Sequence, residues 1–152
     1  MAKLKKNLRS HCPINFVLEA FGDKWTLLIL RDIVFRGKRT YGDFLRSEEG
    51  FATNLLAARL ELLEREGVLI KRPSPDDGRK GVYSLTEKGL DLIPILFEMV
   101  LWSNKYDHQS ESKKIARLVD LIRSDNRKIS NKMIRKVRSG EAVLPYFLDQ
   151  KM

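Results

Sequence analysis

Between residues 24 and 35 the sequence sets Trp25, Leu27, Leu28, Ile29, Leu30, Ile33 and Val34 nearly all round one helix. Asp23 is a candidate N-cap and Gly37 a terminator. A helix that is apolar on most sides cannot lie on a surface, so other elements must cover it. The rest of the chain therefore has to provide layers around residues 24–35, with Trp25 read as a core anchor.

The flanking sequence provides such elements. Ile14, Val17, Leu18 and Phe21 recur at helical spacing behind Pro13, a residue suited to a first helical turn, and Gly22 closes that helix. Thr40 is a candidate N-cap for a short helix over 41–47, and Glu48, Glu49 and Gly50 make a turn. The next helix runs from residue 52 or 53 to 66. Ala52, Leu56, Leu60 and Leu63 form one stripe, while Asn54, Ala57, Ala58, Glu61 and Arg65 occupy the opposite face.

Residues 68–72 and 82–85 read as two strands joined by a turn-rich segment, 73–81, with Lys71, Arg72, Arg79 and Lys80 at or near its tip. Thr86 opens a long helix whose apolar face is Leu92, Ile93, Leu96, Met99, Val100 and Trp102, and Pro94 permits a kink or a second segment. After a polar break at 110–112, Ile115, Leu118, Val119 and Ile122 resume helical spacing. Residues 124–126 interrupt it, and Ile129, Met133, Ile134 and Val137 continue it. Residues 145–148 form a short apolar tail.

The chain has 152 residues and a formal net charge of +9. Residues 1–11 carry +4, 12–111 carry −2 and 112–152 carry +7. The positive charge therefore belongs to the two ends, and net charge alone does not make the middle a binder of nucleic acid. No apolar run reaches the length of a membrane span, and the basic N-terminus is not followed by an apolar signal-peptide segment. A cytoplasmic, nucleoid-associated protein without membrane partners is expected.

The order helix, helix, helix, strand, turn, strand, helix is that of a winged helix-turn-helix. The expected fold class is mostly α with a small β-hairpin, dimeric, with a C-terminal helical extension. Residues 1–11 form a basic arm, 12–107 the winged-helix DNA-binding and dimerisation domain, and 108–152 a basic helical extension. That extension adds helices to the dimer interface or the core, or acts as an arm on the DNA backbone through Lys132, Arg135, Lys136 and Arg138. A helix that enters a major groove must present small or polar residues. Thr53, Asn54, Ala57 and Ala58 meet that demand: Asn pairs with adenine edges and Ala methyl groups touch thymine methyl groups. Lys38, Arg39, Lys71, Arg72, Arg79 and Lys80 are the phosphate and wing candidates. Arg59 flanks the buried stripe, which suits either a phosphate contact or an internal ion pair.

Cys12-Pro13, Gly22-Asp-Lys-Trp25-Thr-Leu-Leu-Ile-Leu30, Ala52-Thr-Asn-Leu-Leu56, Arg59-Leu60, Leu63-Glu64, Gly67 and Tyr83-Ser-Leu-Thr-Glu-Lys-Gly89 together resemble the HxlR family of bacterial transcriptional regulators. The turn over 75–81 also resembles the MarR family, which shares the fold class. The HxlR resemblance implies a homodimer on a pseudo-palindromic operator in double-stranded DNA. It further implies that the helix starting at Thr53 reads bases, that the hairpin is the wing, and that the first helix and the helix after the wing make dimer contacts.

Cys12 is the only cysteine. Its place before a helix start, near Lys6, Arg9 and His11 in sequence, favours the thiolate and makes it a redox-sensing candidate. Some regulators that resemble this family sense oxidants or electrophiles through such a cysteine; the alternative is a small packing residue. One Cys and two His offer no zinc ligand set, and no catalytic constellation or cofactor motif is present, so neither an enzyme nor a metal protein is expected. Two alternatives stay open: a winged-helix interaction module that does not bind DNA, and a MarR-like regulator answering to a small molecule of unknown identity.

Overall fold

The structure, a computed structural model, describes residues 7–143. Lys3, Lys5 and Lys6 of the basic arm and the apolar segment 145–148 lie outside the described residues. In chain order the elements are α1 (Pro13–Phe21), α2 (Lys24–Arg36), α3 (Tyr41–Leu45), α4 (Thr53–Arg65), β1 (Leu69–Pro73), β2 (Gly81–Leu85), α5 (Glu87–Leu90), α6 (Ile93–Tyr106), a 3-10 turn (Glu111–Ile115) and α7 (Ala116–Arg138). This is a winged helix-turn-helix with a long added helix.

At the start of α2, the Asp23 carboxylate accepts from Trp25 N at 2.9 Å, from Thr26 N at 3.0 Å and from the Thr26 hydroxyl at 2.6 Å. Gly37 ends the helix at φ +68°, a left-handed conformation that favours glycine. Ile29, Leu30, Ile33, Val34 and Phe35 are buried. Trp25, expected as a core anchor, is only half-buried. It sits at the rim, tilted against Phe51 at 5.5 Å between ring centroids, with the Lys24 ammonium 4.8 Å above it.

Leu56, Leu60 and Leu63 of α4 are buried, as their stripe requires. Ala52 is not part of that stripe. It precedes the helix with ψ 141° and is exposed, because an extended residue does not share the helical face. The hairpin pairs β1 with β2 antiparallel from Leu69↔Leu85 to Pro73↔Gly81. Tyr83 N also donates to Arg39 O at 2.7 Å, which ties the segment before α3 to the wing.

The long helix expected after Thr86 is two helices. Thr86 caps α5 by accepting from Gly89 N at 3.2 Å, and α6 starts afresh with Pro94 in its first turn. Proline has no N–H to give to an upstream turn, so the ladder cannot run through it. A Cβ on Gly89 would lie 2.4 Å from Val68 O, so the close approach of α5 to the hairpin base requires glycine.

The interruption expected at 124–126 is a kink in α7 at Asp125, whose φ is −161° and ψ 87°. Leu118, Ile122, Ile129, Met133 and Val137 of α7 join the same buried cluster as α2, α4 and α6. Asn126 Nδ2 donates to Pro94 O at 3.2 Å and to Glu98 at 2.6 Å, and Arg138 pairs with Glu87 at 2.8 Å.

Burial would raise the Asp23 pKa. The Thr26 side-chain and backbone bonds, the Trp25 N–H and the Arg59 charge overcome it and hold the carboxyl below the usual range of an aspartate. A lowered folded-state pKa stabilises fully above the unfolded value, and the effect is lost as pH falls from there through the folded value. The wild type is therefore expected to lose stability below about pH 4, and Asp23→Ser, which can still cap, is expected to show a shallower acid slope in melting temperature against pH. Identical acid slopes would count against a role for Asp23.

Candidate nucleic-acid interface

The start of α4 presents Thr53, Asn54, Ala57 and Ala58, all exposed. These four share a surface because Leu56, Leu60 and Leu63 turn the other side of the helix into the core. The Tyr41 hydroxyl donates to Thr53 O at 3.1 Å and so fixes α3 against the first turn of α4. The Thr40 hydroxyl accepts from Asp43 N at 3.1 Å while Asp43 accepts from Thr40 N at 3.0 Å, a reciprocal cap that holds α3. Burial would raise the Asp43 pKa, but the Arg39 and Thr40 N–H groups, the Thr40 hydroxyl and Arg46 lower it.

The wing is shaped by its own backbone. Ser74 N donates to Lys80 O at 2.7 Å, Lys80 N to Asp77 O at 2.9 Å, and Arg79 N to Asp77 Oδ1 at 3.1 Å. Lys71, Arg72, Arg79 and Lys80 are exposed, and the Arg79 side chain keeps 93% of its surface. The Lys71 ammonium lies 5.5 Å over the Tyr83 ring.

Three other predicted cations are placed differently. The Lys38 ammonium lies 3.3 Å from Asp32 Oδ2, and Asp32 is fully buried. Asp32 Oδ1 also accepts from Arg31 at 2.7 Å and from Arg36 at 3.4 Å. Burying that carboxylate demands cations around it, and Lys38 is one of them. Arg59 Nε lies 3.2 Å from Asp23, the internal pair that its flanking position allowed. Arg39 is half-buried, and one of its terminal nitrogens is enclosed without a hydrogen-bond partner; burial lowers its pKa.

Asp32 is the residue that pattern reading passed over. The signal was a lone acid inside an otherwise apolar helix. Glu48 and Glu49, in the turn between α3 and α4, pair with Arg36 and Arg31 of α2. These acids are thus held by α2 rather than set against the basic wing. Arg46, also passed over, is exposed just after α3 and pairs with Asp43 at 2.6 Å.

Cys12 is the N-cap residue of α1, exposed and a free thiol. No side chain caps α1 there. Arg9 donates to Asn15 Oδ1 at 2.9 Å. Apolar side chains stand exposed on α1 (Ile14, Phe16, Leu18) and on α6 (Met99, Trp102, Tyr106). Among the described residues no three His, Cys, Asp or Glu side chains are grouped to hold a metal ion, and no helix is long and apolar enough to cross a membrane.

Comparison with known proteins agrees with this fold. The chain is 35% identical over 88 residues to an uncharacterized HTH-type transcriptional regulator, sll1512, of Synechocystis sp., a match covering 58% of this chain and 64% of that protein. The crystal structure of PA1607 is 37% identical, with a TM-score of 0.61 over 68% of this chain and 70% of that one. The redox regulator HypR in its oxidized form is 29% identical, with a TM-score of 0.55 over 62% of this chain and 96% of that one. Residues 20–111 match the model of the HxlR-like helix-turn-helix family, and the chain belongs to that family.

Proposed function

We propose that the protein is a sequence-specific DNA-binding transcriptional regulator that acts as a homodimer on a pseudo-palindromic operator, in the cytoplasm with the nucleoid. The observation that carries this reading is the exposed face of Thr53, Asn54, Ala57 and Ala58 beside a wing with four exposed cations. Asn54 reads a base edge, the two alanines contact methyl groups, and Lys71, Arg72, Arg79 and Lys80 meet phosphates. Lys38 and Arg59 act indirectly in this reading, by holding α2 to the loop before α3 and to α4. Arg39 remains a phosphate candidate at the edge of the face. The exposed apolar side chains of α1 and α6 supply the surface for the second copy.

Asn54→Ala is expected to weaken operator binding about tenfold and to relax preference at one base position. Replacing Arg79 and Lys80 together with Ala is expected to weaken binding to all sequences alike and to reduce the salt slope by about 2. Gel-shift titrations at several salt concentrations separate the two effects. Unchanged affinity in both variants would remove the assignment.

Cys12 is proposed as the point of redox control. Its exposure at a helix start supports this, as does the likeness to HypR. With no second Cys in the chain, oxidation yields a sulfenic acid, a mixed disulfide or a disulfide between copies. Diamide is expected to change operator affinity of the wild type and leave Cys12→Ser unaffected. Equal responses of the two proteins would remove Cys12 from the account.

A further inference from the structure

From Asn126 to Arg138 the second half of α7 carries six cations and no acid. It turns Ile129, Ser130, Met133 and Val137 into the core and leaves Arg127, Lys128, Asn131, Lys132, Arg135 and Arg138 exposed. The stretch before it is balanced: Lys114 pairs with Glu111 at 3.3 Å and Arg123 with Asp120 at 3.2 Å. Beyond Asp125 that balance stops. Lys136 pairs with Glu141 and Arg138 with Glu87 at the far end, while Arg127, Lys128 and Arg135 make no ion pair among the described residues.

The helix gains little from this arrangement. Asp125 starts the second half afresh, its Oδ1 accepting from Lys128 N at 3.0 Å. Arg127 and Lys128 thus stand in a first turn, where the helix dipole disfavours cations. Lys128, Lys132 and Lys136 follow one another four residues apart, which sets like charges side by side. A partner of opposite charge removes both penalties. The surroundings of the face point to that partner. Asn126 is held at the start of α6 by Pro94 O and Glu98, and Arg138 by Glu87, the residue after the Thr86 cap that follows β2. A Cβ on Gly37 would lie 3.1 Å from the Ala142 Cβ, so the chain after α7 abuts the end of α2. This half of α7 therefore runs along the winged lobe and ends at the base of the wing.

We propose that this face is a second contact with the DNA backbone, taken up by the duplex that flanks the wing. Arg127 to Arg138 span ~16 Å of helix, the axial length of about five phosphates on one strand. A duplex presents evenly spaced charge to an unbroken run of cations, which the scattered acids of a protein surface do not. The face lies outside the family-matched residues 20–111, so it adds to the reading helix and wing rather than repeating them. It holds the duplex without reading bases. The proposal rests on the DNA-binding function proposed above.

The test is fluorescence anisotropy of the full chain with a labelled random-sequence duplex of about four helical turns, titrated from about 50 to 200 mM salt. Arg127→Gln, Lys128→Gln and Arg135→Gln together are expected to lower the slope of log affinity against log salt by about 2–3 per bound chain, and to weaken binding at least about tenfold. Arg127→Lys with Arg135→Lys keeps the charge and is expected to keep the wild-type slope, because counterion release counts charge. A glutamine variant with the wild-type slope overturns the proposal, and so does a charge-keeping variant that loses slope. Loss of poly-L-glutamate binding with duplex binding intact also overturns it, and puts an acidic protein on the face instead. Arg79→Ala with Lys80→Ala, run alongside, separates this contact from the regulator reading. Slope lost there and kept in the glutamine variant overturns the α7 contact alone. A wild type that binds no duplex at about 50 mM salt overturns both.

Discussion

A chain ended after residue 111 is expected to lose cooperative unfolding. It would retain the whole family-matched segment, 20–111, and still fail. The reason is where α7 puts its side chains. Leu118, Ile122, Ile129, Met133 and Val137 are buried in one cluster with Ile33, Phe35, Leu96 and Phe97. Cutting α7 away uncovers both sides of that cluster, and each large side chain returned to water forfeits about 1.5–3 kcal/mol. A domain's net stability is only about 5–15 kcal/mol, so several such losses exceed it. Met133→Ala isolates the effect at one fully buried position and is expected to cost about 2–5 kcal/mol. Urea unfolding followed by circular dichroism reads both variants. A shortened chain that unfolds as sharply as the full one would show α7 to be an appendage.

Asp32→Ala is the second large effect. Its carboxylate is fully buried, and it draws Arg31, Arg36 and Lys38 inward to side-chain exposures of 20–23%. Removing the carboxylate leaves three half-buried cations with less to hold them. Breaking a buried pair from one side costs about 3–5 kcal/mol. For a domain of this size, 3 kcal/mol corresponds to roughly 6–12 °C in melting temperature. The same variant is expected to weaken DNA binding by freeing Arg31 and Arg36, the residues that tie Glu48 and Glu49 to α2. Scanning calorimetry settles the stability claim, and a melting temperature within about 2 °C of the wild type would contradict it.

The elements that repeat a simple period were readable from sequence. The α4 stripe of Leu56, Leu60 and Leu63 is one; the break at Asp125 is another, because Ser124, Asp125 and Asn126 interrupt an otherwise regular apolar spacing. The base-reading candidates follow from the same arithmetic, since the face opposite a buried stripe has to be exposed. What periodicity does not carry is which partner a long cation reaches. Lys38 looks like a surface charge in the sequence and Arg59 suits either a phosphate or an internal partner, and only the fold brings them to Asp32 and Asp23. The helix break before α6 was open for a related reason. Pro94 is tolerated in a first turn and disruptive further in, and the chain position alone does not say which applies.

The central claim is that α4 and the wing form a DNA-binding surface duplicated by a second copy. The most direct measurement selects fragments of the source genome on the full-length protein, footprints one, and titrates binding between 50 and 200 mM salt. The account predicts two protected half-sites about ten base pairs apart, or a multiple of that spacing. It also predicts a fall in affinity of about a thousandfold across that salt range, as expected for roughly six phosphate contacts. No protected fragment, or an affinity indifferent to salt, would contradict it.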